Sequence, residues 1–112
     1  MVVLVTFVWL RHYHSSLCNG YSLVRMNGYE VVVTNQKKDV LTRGTVVKFA
    51  VKSPFVTGYT SSAHMSPDTD PVNGYFLIDT ERGTVFDGLS ERAWKQKLSE
   101  LDWEDPKMRK PW

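Results

Sequence analysis

Residues 74–101, GYFLIDTERGTVFDGLSERAWKQKLSEL, constrain the fold more than any other part of the chain. Tyr75-Phe76-Leu77-Ile78 is a run of bulky apolar residues with high strand preference. Asp79-Thr80-Glu81-Arg82-Gly83 supplies turn chemistry: the Asp carboxylate can accept from its own downstream backbone, and Gly83 can take positive φ. Thr84-Val85-Phe86 resumes the strand, and Asp87-Gly88 ends it. Ser90 is then placed as an N-cap, with Leu89 and Trp94 at the two positions of a hydrophobic staple. Glu91 suits the positive end of a helix and can pair with Lys95 one turn on. Trp94, Leu98 and Leu101 recur at i, i+4 and i+7, which gives one inward apolar stripe. A hairpin followed by an amphipathic helix satisfies all of these local rules at once.

Upstream, Asn27-Gly28 stands between the apolar runs 21–26 and 29–34. That pair is the strongest short hairpin signal, because a type I′ turn needs positive φ at both central residues. Val40-Leu41-Thr42 reads as a short strand. TVVKFAVK, residues 45–52, alternates so that Val47, Phe49 and Val51 share the expected core face, while Lys48 and Lys52 point to solvent. Ser53-Pro54 interrupts the ladder, since Pro lacks an N–H. Residues 55–60 read as a further strand with Gly58 as its point of bending, and residues 61–73 read as a long loop. The expected class is α+β: a small antiparallel meander of six or seven short strands with one C-terminal helix packed on one face. The other face of the sheet is expected to stay open.

The chain has 112 residues, enough for one domain, and the reading divides it into 1–19, a folded unit 20–103 and a frayed tail 104–112. Val2–Leu10 is nearly all apolar. It is too short for a spanning helix, which needs about 20 residues, but it suits a membrane leader or anchor, a core strand or a terminal helix. Residues 11–16 read as a polar linker. Compartment, envelope or cytoplasm, depends on which of these applies. Cys18 is the only cysteine, so no intramolecular disulfide can form.

Catalytic constellations are sparse. His12, His14 and Cys18 carry proper zinc-ligand atoms, but His64 is the only other histidine, and a closed site takes four ligands. No phosphate loop or dinucleotide fingerprint occurs; the glycines mark turns. Asp79 and Asp87 sit where turns use Asp for backbone bonding. No metal, cofactor or catalytic residue is assigned. Lys37, Lys38, Arg43, Lys48 and Lys52 could line one face with Tyr21 or Tyr29, the combination that single-stranded nucleic acid needs, although ordinary solvated cations give the same pattern.

Charge is more informative. Net charge is +2, but residues 1–60 carry seven Lys/Arg against two Asp/Glu, and residues 61–112 seven against ten. Asp87, Glu91, Asp102 and Glu104 are therefore candidates for a surface that meets a basic protein partner, and complementary charge of this kind sets association rate and specificity.

The runs GYSLVRMNGYEV, SPFVTGY and GYFLIDTERGTVFDGLSERAW, spanning roughly residues 20–101, resemble a loosely defined set of small bacterial proteins. Some of that set begin with a leader or lipoprotein signal, and others resemble immunity proteins of toxin systems. The resemblance implies a non-catalytic binding protein such as an immunity-type inhibitor, or else an envelope-attached accessory protein. A metal-dependent enzyme using His12, His14 and Cys18 is a third reading. For a lipoprotein cleavage site, Ser15 stands where an aliphatic residue belongs and Leu17 where a small one does.

Overall fold

The computed structural model describes residues 14–26, 30–61 and 73–111. Among these residues the elements are β1 (His14–Ser16), β2 (Ser22–Arg25), β3 (Val31–Thr34), β4 (Thr45–Lys52), β5 (Phe55–Ser61), β6 (Gly74–Asp79), β7 (Thr84–Leu89) and α1 (Glu91–Glu100). The strands make two antiparallel meanders, β1-β2-β3 and β4-β5-β6-β7, so the α+β class expected from the sequence holds. No described helix is long and apolar enough to cross a membrane. Val2–Leu10, His12, the Asn27-Gly28 turn, most of the 61–73 loop and Trp112 lie outside the described residues.

At the β6–β7 turn the Asp79 carboxylate accepts from the amides of Glu81 and Arg82 at 3.0 and 3.1 Å. Gly83 takes φ 72° there, and its N–H donates to the Asp79 carbonyl at 2.8 Å. β4 and β5 meet through a two-residue turn whose Ser53–Pro54 peptide is cis. Thr80 ties the two turns together. Its N–H and hydroxyl donate to the Pro54 carbonyl at 2.9 and 2.6 Å, and its oxygen accepts from the Asn19 side-chain amide at 2.9 Å. The half-buried Cys18 thiol sits 3.5 Å from the same oxygen.

The larger sheet is covered on both faces. Phe76 and Ile78 of β6 point into a core shared with Leu23, Val33, Val46, Phe49 and Val56. Tyr75 and Leu77, alternating with them, face a second cluster built on Trp94 and Leu98 of α1. The expectation of one open face is therefore corrected. The strands split into two sheets, and the smaller packs over the face that the helix leaves free. A strand buried on both sides reads as a continuous apolar run, which is what residues 75–78 show.

Four further expectations are corrected: the core face of β4, the linker, the tail and the strand at residues 40–42. A bulge between Val46 and Lys48 inserts one residue into β4, so Val46 joins Phe49 in the core while Val47 is 43% exposed. Val51, placed with Phe49 on the core face, is 37% exposed near the hairpin end of β4. Residues 14–16, read as linker, form β1 because their backbone pairs with β2 from His14↔Val24 to Ser16↔Ser22. The tail, read as frayed, pairs with the outer edge of β4: Phe49 and Arg109 exchange two backbone hydrogen bonds at 2.8 and 2.9 Å. Val40-Leu41-Thr42 is a bridge beside β3 rather than a strand, held by Leu41 N–H to the Val33 carbonyl at 2.8 Å.

Candidate acidic interface at the helix end

α1 begins as the sequence predicts. Ser90 accepts from the Ala93 amide at 3.1 Å, Lys95 pairs with Glu91 at 3.1 Å, and Leu89 packs on the Trp94 cluster. Trp94 and Leu98 are the buried residues of the helix, and Trp94 stacks on Tyr75 with centroids 4.0 Å apart.

Its other end is more unusual. The Asp102 amide donates to the Ser99 carbonyl at 3.1 Å, and the Trp103 amide to the Leu98 carbonyl at 2.9 Å. These are the two bonds of a Schellman motif, and Trp103 makes the accompanying apolar contact on the Leu98 cluster. The position after the cap must take positive φ, where glycine is the usual residue. Here it is Asp102, at φ 56°. Glu100 and Asp102 lie within this motif and Glu104 and Asp105 follow directly after it, all exposed. Among the described residues none of these four carboxylates has an ion-pair partner. Lys52 reaches the turn, but at the Asp102 carbonyl, 3.4 Å away.

Beside this turn, between the last turn of α1 and the β6–β7 hairpin, lies a cleft of about 190 Å³. Phe55, Leu77, Leu101 and Phe86 give it an apolar lining. Glu100 borders it on the helix side, and Arg82 and Lys97 also line it. The Lys97 ammonium rests 3.9 Å above the Phe86 ring.

The four sequence-nominated carboxylates do not form one patch. Asp102 and Glu104 lie together at the helix end. Glu91 is at the opposite end of a ten-residue helix, roughly 14 Å away at 1.5 Å per residue, and is already paired with Lys95. Asp87 is held by Arg43 through two hydrogen bonds of 2.9 and 3.1 Å. The basic residues are likewise dispersed: Arg43 serves Asp87, Lys48 and Lys52 flank the helix side of the sheet, and the Tyr21 ring is in the core. Cys18 faces Thr80, and the side chains of His12, His14 and His64 are not described. No group of three or more His, Cys, Asp or Glu among the described residues could hold a metal ion.

Sequence reasoning missed Phe55, Phe86, Lys97 and the backbone state of Asp102. A signal for the last was present: an apolar stripe ending at Leu101, then Trp103 two residues on, marks a Schellman end even without glycine. Compared with protein-family profiles, curated proteins and solved structures, the chain finds no match.

Proposed function

We propose that this chain is a non-catalytic binding module that meets a basic protein partner through the turn Glu100–Asp105, in the manner of an immunity-type inhibitor. The observation that carries the reading is Asp102 at φ 56° in a position that favours glycine. A carboxylate kept where the backbone favours glycine, between Glu100 and Glu104 and with no ion-pair partner among the described residues, is consistent with a charge retained for use outside the fold. The Schellman bonds and the packing of Trp103 hold the acidic groups in place before binding, which lowers the entropy lost on association.

The test is affinity capture from the source cell with the wild-type chain and with a Glu104→Lys, Asp105→Lys variant. The expected result is a basic protein retained by the wild type at low salt, lost from the variant, and released as ionic strength rises past the point where the Debye length falls below about 8 Å. Equal capture by the variant would refute the reading.

A further inference from the structure

The cleft beside the acidic turn has the shape and charge to do more than border it. We infer that it is the anchor pocket of the same interface, taking one aromatic or large aliphatic side chain from a basic segment of the partner; the inference rests on the acidic-turn reading. The cleft and the turn are one surface, since Glu100 and Leu101 belong to both. Its lining is apolar where a side chain would be buried: Leu77 is 5% exposed, Leu101 half-buried, and Phe86 stands 38% exposed on β7. A volume of about 190 Å³ equals the liquid share of roughly six waters, room for one ring and its methylene.

The charges decide which segment fits. On the helix side stand Glu100 and the other acids of the turn, reinforced by the partial negative charge of a helix C-terminus. Across from it stand Arg82 of the hairpin, 3.9 Å from the Asp79 carboxylate, and the Lys97 ammonium, which α1 sends over the Phe86 ring of β7. Basic residues next to the anchor are therefore drawn to one side only, which gives the bound segment a direction. Interfaces of this kind draw most of their affinity from a buried aromatic anchor ringed by polar contacts.

The experiment uses the full ¹⁵N-labelled chain at low salt and three peptides: acetyl-Gly-Trp-Arg-Arg-amide, acetyl-Gly-Ala-Arg-Arg-amide and acetyl-Gly-Trp-Glu-Glu-amide. The first is expected to give saturable amide shifts at residues 84–86 and 97–103. Each of the other two should bind at least about tenfold more weakly. Thr84→Phe, at an exposed β7 position lining the cleft, fills the pocket from outside the core; it should remove the preference for Trp over Ala and leave the melting temperature unchanged. Equal binding of the Trp and Ala basic peptides overturns the pocket and leaves the acidic-turn reading standing. Equal binding of the acidic and basic Trp peptides overturns both. No saturable shift with any peptide up to about 10 mM overturns the pocket.

Discussion

The indole N–H of Trp94 donates to the hydroxyl of Thr57 at 2.7 Å, and that hydroxyl donates in turn to the Phe76 carbonyl at 2.7 Å. Thr57 is wholly buried in β5, so this relay joins the helix to the sheet through a polar bond inside an otherwise apolar contact. Trp94→Ala should cost about 3–5 kcal/mol, from lost burial and the cavity left behind. Thr57→Val keeps the volume but strands the indole N–H, and should cost about 1–3 kcal/mol. Chemical denaturation of both variants checks this. A Thr57→Val chain as stable as wild type would show that the relay contributes nothing.

Gly58 lies opposite Phe49 on one side and Phe76 on the other. A Cβ there would stand 2.7 Å from the Phe76 ring and against the Lys48 carbonyl. Both neighbours are fixed, one by the core and one by the ladder. Gly58→Ala should therefore destabilise by about 1–3 kcal/mol, the usual range for overpacking, read as a lower denaturation midpoint with an unchanged slope.

Asp102→Gly separates stability from function. Removing Cβ at φ 56° should stabilise the fold by about 0.5–1 kcal/mol, while capture of the basic partner weakens. A variant that gains stability and retains full capture would show that the Asp102 carboxylate is not part of the interface.

Asp87→Asn should leave capture unchanged, because Arg43 already neutralises that carboxylate. The pair is partly solvent-exposed, with the Arg43 side chain 54% exposed, so its loss should cost under about 1 kcal/mol. Partner binding measured by titration in this variant, beside Glu104→Lys, tells the two acidic positions apart.

Residues 14–19 carry β1 and the Asn19 bond to Thr80. A chain that begins at residue 20 is expected to melt at a lower temperature than one that begins at residue 14. Equal stability of the two truncations would mean that β1 is an appendage rather than part of the smaller sheet.

The hairpin and helix of residues 74–101 were readable because their causes are local. The Asp79 turn, the Gly83 φ, the Ser90 cap and the Glu91–Lys95 pair each act over five residues or fewer. The parity of β4 was not readable, since its bulge is set by register against Thr60 and Tyr59 on another strand. β1 carries the polar residues His14, Ser15 and Ser16 and becomes a strand only by pairing with β2. The tail has no period, yet Arg109 finds the one backbone edge that Phe49 offers.

The candidate interface divides the same way. The acidic residues of 100–105, the helix that carries them and its apolar stripe are written in the order of the residues, because charge and 3.6-residue periodicity are properties of neighbours along the chain. Which of those charges face solvent unpaired was decided only in three dimensions. Arg43 reaches Asp87 across 44 positions, and the cleft draws its lining from β5, β6, β7 and α1. Contacts between residues so far apart depend on how the two sheets and the helix pack. That packing is fixed by the shared burial of Phe49, Phe76, Leu77 and Trp94, a sum over the whole core that no single stretch contains.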